Sequence, residues 1–287
     1  MARFSQAGLG WHPDLPDFRD LTIHSPATVE LLDLLPEPSV PGKPRSARVD
    51  LRGYFPAVSE PRPEAASTAS ACLNLFEYFE RRVYGRIQPL SQAFLDYTTR
   101  RLPDVTGDGA ASLRTALKAL KRFGVVPARY WDHSSHQHGT EPDSFIFALA
   151  GSEPSLSYLR LDGRQASGGE TLDLVRSFLA AGLPLAFGFP VPSSIDAEPD
   201  IPYRPAFDDV VGGQAVVAVG YDDYRRGVTR GALLILTSWG DQWGEAGYGW
   251  LPYAYVEERL AVDFWCLLRP DWLKSGEFQR PSELEAE

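Results

Sequence analysis

The chain is short of thiols, of long apolar runs and of positive charge, and each shortage closes a route. Only two cysteines, Cys72 and Cys266, occur in 287 residues. That is too few for the disulfide framework of a secreted scaffold. No apolar run is long enough to span a bilayer. The opening Met1-Ala2-Arg3-Phe4-Ser5-Gln6-Ala7-Gly8 lacks the apolar region of a secretory signal. A protein of the reducing cytoplasm, away from membranes, is the expectation. Acids outnumber bases 38 to 28, for a net charge of −10. A nucleic-acid partner, which needs a basic patch, is therefore not expected. The charge serves solubility or meets a basic partner.

A hydrophobic fraction of 44% is enough for a substantial core in one domain or two lobes. The most specific pattern lies late in the chain. It runs Gly212-Gly213-Gln214-Ala215-Val216-Val217-Ala218-Val219-Gly220-Tyr221-Asp222, then Gly231-Ala232-Leu233-Leu234-Ile235-Leu236-Thr237-Ser238-Trp239-Gly240. Gln242-Trp243-Gly244 and Gly247-Tyr248-Gly249-Trp250 follow. Earlier comes Asp50-Leu51-Arg52-Gly53-Tyr54-Phe55-Pro56-Ala57-Val58. It leads through Pro61 to Ser67-Thr68-Ala69-Ser70-Ala71-Cys72 at the head of a helix.

These segments resemble papain-like (family C1) cysteine peptidases of bacterial type, over roughly residues 8–270. The resemblance implies an α+β fold of two lobes, one helical and one β-rich and barrel-like, with a cleft between them. It implies that Ser67 stands where the family has its nucleophilic cysteine, and Gln214 where it has the catalytic histidine. Thr237 stands at the place of the asparagine that orients that histidine. Pro61 stands at the place of the glutamine that helps hold the oxyanion. By the same resemblance Gly109 and Ala110 line the cleft, and Trp239 shields the site.

The chemistry of these four residues argues separately for an inactive site. A papain-type nucleophile works as a thiolate kept at low pKa by a helix N-terminus and a neighbouring imidazolium. A serine hydroxyl is weak without an adjacent base. The amide of Gln214 takes no proton at neutral pH. Thr237 has no imidazole to orient. Pro61 offers neither a side-chain amide nor a backbone N–H. Cys72 lies five residues beyond Ser67, about 140° round the helix. It falls on the apolar stripe Cys72, Leu75, Phe76, Phe79 and Val83, so it reads as a buried core residue. Cys266 reads the same way. His12, His24, His133, His136 and His138 all fall outside the histidine slot.

Along the chain, residues 1–48 read as a leader that stays attached as a structural belt, with a short helix from Thr28 to Leu35. Residues 49–165 read as the helical lobe, with helices over Ala66–Val83, Ser91–Arg101 and from Ser112 to a stop at Gly124. Residues 166–270 read as the β-rich lobe. Its helix runs from Glu170 to Ala181, and its strands include Ala215–Tyr221, Ala232–Ser238, Tyr248–Pro252 and Val262–Leu268. The loop from Pro192 to Asp209 is long for a structureless connection, which points to binding or to a bare surface loop. Residues 271–287 read as a mobile acidic tail. Trp131-Asp132-His133-Ser134-Ser135-His136-Gln137-His138 matches no zinc spacing and reads as a solvated loop. No metal and no cofactor are expected.

The functional expectation is a pseudopeptidase that binds a protein or an extended peptide through Ser67, Gly109, Ala110, Gln214 and Trp239. Two alternatives stay open. One is a serine hydrolase or acyltransferase using Ser67 with an unusual base. The other is a structural subunit that works through its outer surface.

Overall fold

Local chemistry starts and stops the helices. In this computed structural model the described residues are 10–35, 46–58, 67–102, 111–132, 140–163, 165–226 and 230–278. Helix α1 spans Pro26–Leu32, α2 Ser67–Tyr84, α3 Gln92–Arg100 and α4 Leu113–Phe123. Ser91 caps α3 by accepting the Phe94 N–H, and Ser112 caps α4 by accepting the Thr115 N–H. Gly124 ends α4 at φ 68°, where a Cβ would lie 1.8 Å from the Gly151 carbonyl oxygen. Only glycine fits there. A further helix, α5 (Ser144–Ala150), carries no counterpart in the sequence reading. In α6 (Gly168–Ala180), Ser167 and Glu170 form a reciprocal capping box. Two short helices, α7 (Ala254–Glu257) and α8 (Pro270–Leu273), complete the set among the described residues.

The strands are β1 (Arg48–Asp50), β2 (Ser157–Arg160), β3 (Leu185–Pro192), β4 (Val210–Arg226), β5 (Arg230–Leu236), β6 (Tyr248–Pro252) and β7 (Val262–Leu268). They form one antiparallel sheet in the order β2-β7-β3-β4-β5-β6, with β1 paired to β4. The sheet also draws strands from before residue 166. Strands β1 and β2 come from the span assigned to the helices, yet their hydrogen bonds go to β4 and β7. Gly220 of β4 has no Cβ because one would fall 2.2 Å from the Val49 carbonyl oxygen of β1.

Helix α2 is the hinge between the two halves. A single apolar stripe was expected; in fact every residue from Ser67 to Phe79 is buried. The helix crosses between α3 and α4 on one side and the sheet on the other, so it has no solvent face over that length. Its C-terminal half meets the end of the chain. Trp272 of α8 is fully buried and stacks on Phe79, ring centroids 4.5 Å apart. Arg82 lies 4.2 Å from the Phe278 ring centroid and donates to the Glu277 carbonyl. Residues 271–278, the start of the span expected as a tail, make these contacts with α2. Residues 279–287 lie outside the described set.

The Pro192–Asp209 loop is also tied down. Trp243 Nε1 donates to the Asp196 carbonyl (2.7 Å), and Ile201 N–H to the Trp250 carbonyl (3.0 Å). Its backbone finishes the edge beside β6 rather than standing off the surface.

Candidate functional site

The site lies where the N-terminus of α2 meets the sheet. Ser67 is 1% exposed, and its Oγ accepts the Ala215 N–H at 3.4 Å. Gln214 sits on β4 opposite Phe189 of β3. Its side chain is fully buried, and Nε2 donates to Ser238 Oγ at 2.9 Å. Gln214 Oε1 has no hydrogen-bond partner among the described residues. An unpaired buried acceptor costs about 1–3 kcal/mol. Thr237, one residue past β5, turns its hydroxyl to the Gly247 carbonyl (3.1 Å) and accepts the Trp239 N–H (3.3 Å). Trp239 packs edge-on to Trp243 with ring centroids 4.6 Å apart.

Ser67, Gln214, Thr237 and Trp239 thus meet at one seam. Pro61, Gly109 and Ala110 lie outside the described residues, as does the His133–His138 stretch. The three polar groups are two hydroxyls and an amide, and none of them takes up a proton near neutrality. Among the described residues neither cysteine nor His12 fills that role. Cys72 is fully buried, and burial pushes its thiol far up, away from the reactive thiolate. Cys266 on β7 is held in the same way. His12 is exposed to solvent while Ser67 is sealed. Among the described residues no cluster of His, Cys, Asp and Glu could hold a metal ion. No helix among them is long and apolar enough to cross a membrane.

A strap, residues 10–23, lies along this seam. Gly10 offers its carbonyl to the Ala111 N–H (3.3 Å) and to Thr68 Oγ1 (3.4 Å), next door to Ser67. Trp11 donates its N–H to the Gly213 carbonyl at 3.3 Å, next door to Gln214. The indole is 6% exposed. Two glycines make room for it. A Cβ on Gly188 would fall 2.0 Å from the ring, and one on Gly213 would fall 2.8 Å from it.

Beyond Trp11 the strap is held by charge. Asp14 donates its N–H to Asp263 Oδ2 (2.7 Å), and its carbonyl accepts from Arg160 Nη1 (3.2 Å). Arg114 pairs with Asp14 (3.1 Å) and with Asp20 (2.7 Å), and also donates to the Leu15 carbonyl. Arg160 N–H then bonds the Leu21 carbonyl, bridging the strap to β2. Arg160 is 4% exposed and pairs with Asp263 at 2.7 Å and with Asp162 at 3.1 Å. Asp162 also accepts the N–H groups of Asp263 and Phe264. Asp263 takes φ 62°, a left-handed backbone that Asp tolerates. Burial pushes its carboxyl up to about 7, against the opposing pull of Arg160.

The strap's seat and this Arg–Asp cluster are absent from the sequence reading. The signals present were indirect: acids at 14, 17 and 20, and glycines at 188 and 213 where strands usually carry side chains.

Comparison with known proteins gives a consistent answer about the fold. No protein-family model matches the chain. An uncharacterised peptidase C1-like protein of Acanthamoeba polyphaga mimivirus is 28% identical over 210 residues. That match covers 70% of this chain and 66% of the viral protein, just under two thirds of the relative's length. Xylellain, a cysteine protease from Xylella fastidiosa, superimposes with a TM-score of 0.68 at 26% identity, covering 93% of this chain and 98% of that one. Procathepsin L2 proteinase from the larval midgut of Tenebrio molitor follows the same fold at 16% identity. Its TM-score is 0.65, with 92% of this chain and 78% of that one covered. The chain has the papain-like C1 cysteine peptidase fold.

Proposed function

We propose that this chain is a catalytically silent papain-like protein that acts as a protein- or peptide-binding module. The observation that carries the reading is the side-chain set at the seam. A hydroxyl, an amide and a second hydroxyl occupy the places the family gives to its nucleophile, base and orienting group. Among the described residues Ser67 Oγ accepts only the Ala215 N–H, Gln214 Nε2 is spent on Ser238, and the Thr237 hydroxyl is spent on Gly247. What a papain-like frame keeps without its chemistry is an extended groove, and here that groove already holds an extended segment. Fold alone does not settle function; support for binding comes from the groove's fit to an extended segment, and the strap's own occupancy of it weighs against a partner there.

The test is turnover of a mixed fluorogenic peptide and ester library, with Ser67→Ala as the control. Equal background from both proteins is expected. Turnover that vanishes in Ser67→Ala overturns the reading and makes the chain a serine hydrolase. Ser67→Cys alone is expected to add no peptide cleavage, since no base is supplied with it.

One observation favours a second reading. The strap fills the seam in the chain itself, so a structural subunit that works through its outer surface is supported too. Trp11→Ala separates the two. Stronger partner capture by that variant supports the groove, and unchanged capture supports the outer surface.

A further inference from the structure

The strap is a bound ligand whose contacts can be read as a recognition code. Two of its three contacts read side chains, and the other holds the backbone and sets the register between them. The first is the indole seat, floored by Gly188 and Gly213, where any floor side chain would displace the ring. The second is a backbone clamp three residues later: Asp263 takes the Asp14 N–H and Arg160 takes the Asp14 carbonyl. The third is Arg114. The carboxylates that pair with it, Asp14 and Asp20, both belong to the strap. Asp162 and Asp263 meanwhile are committed to Arg160 and to backbone N–H groups.

A body whose half-buried cation depends on the strap for its counter-charge penalises displacement by a neutral peptide. Removing one partner of such a pair leaves the other charge desolvated and unmatched. An incoming chain has to bring back both the aromatic ring and the acid. The bare seat is thus selective, although the protein as a whole is acidic.

We propose that the groove's partner is an extended acidic peptide of another protein, with a tryptophan three residues ahead of an aspartate, which takes the place of the strap. This rests on the binding-module reading above and gives it a ligand chemistry. The strap, tethered to its own seat, competes at high effective concentration. The site therefore takes a peptide in trans only as far as the strap is loosened.

The experiment is fluorescence anisotropy with a labelled peptide of residues 10–21 on the full chain. The Trp11→Ala protein is expected to bind it at least tenfold more tightly than the unaltered protein. A peptide carrying Asp14→Asn and Asp20→Asn is expected to lose at least tenfold on Trp11→Ala. It should lose nothing relative to the native peptide once Arg114→Gln is added to that protein. Should Trp11→Ala fail to fold, the full chain with Asp14→Asn and Asp20→Asn loosens the strap instead, and the native peptide should bind it just as readily. Equal binding to loosened and unaltered proteins overturns the proposal, as does equal binding of the native and Asn peptides. Failure here with no Ser67-dependent turnover removes the ligand code and leaves the silent reading intact. Ser67-dependent turnover removes the silent reading whatever the peptides do.

Discussion

Gly188 shows how much one missing methyl can decide. Its alanine form would place a Cβ 2.0 Å from the Trp11 indole. Overpacking of that kind costs about 1–3 kcal/mol, and Trp11→Ala about 3–5 kcal/mol through the cavity it leaves. The two should not add. Gly188→Ala is expected to cost little in the Trp11→Ala protein, because the atoms it meets are gone. Urea denaturation of the four proteins measures this coupling, and strict additivity would place the indole elsewhere. Asp263 gives a pH prediction. Its folded carboxyl titrates near 7, above the ordinary value of about 3.9. Between those limits the folded chain holds a proton that the unfolded chain has lost, so this group's contribution falls as pH rises. Asp14, Asp162, Arg114 and Arg160 face it and set the background. Relative to the parent, Asp263→Asn should gain stability from pH 5 to pH 8, by at most about 1.4 kcal/mol per pH unit. A flat or falling difference in the denaturation midpoints would contradict the assignment.

At the scale of elements, what could be read in advance divides by reach. Helices α3 and α4 were visible because their signals are local: Ser91 and Ser112 at their starts, and Gly124 as a stop; α6 was placed from Glu170, two residues inside its true start, because its Ser167 cap went unread. Strands β6 and β7 match their expected spans residue for residue, again on local signals. Ser167→Ala should cost about 1 kcal/mol in thermal or urea unfolding. What escaped depends on partners far along the chain. The apolar stripe on α2 was real, but two layers of structure bury the other faces of the helix as far as Phe79. Trp272 sits in a sequence that ends in acids, and nothing nearby announces that it stacks on Phe79, 193 residues earlier by number. Trp272→Ala should cost about 3–5 kcal/mol; a near-neutral result would show that the C-terminal segment does not dock. Of the site, Ser67, Gln214, Thr237 and Trp239 were singled out through the resemblance to papain-like peptidases, which the glycine and tryptophan motifs around them carry. The strap's seat was not, because two isolated glycines and two arginines acquire meaning only when β2, β3, β4, α4 and β7 come together.

For the whole molecule, the consequence of the interleaved strands is cooperativity. Strand β1 precedes helices α2 to α5 and β2 follows them, yet both pair within the one sheet. Neither half can leave without tearing the other's hydrogen-bonded edge. The expectation is a single unfolding transition, with far-ultraviolet circular dichroism and tryptophan fluorescence coinciding. An early separate melting of residues 67–150 would show that the halves are independent.

The bond from Asp14 to Asp263 spans 249 positions of sequence. On a ribosome adding about 5–20 residues per second, the strap is made on the order of ten to fifty seconds before its anchor exists. Until residue 263 is made, Asp14 lacks the acceptor that holds its N–H. The Trp11 seat can form earlier, at residue 213, so the strap closes in two steps, indole first and acids last.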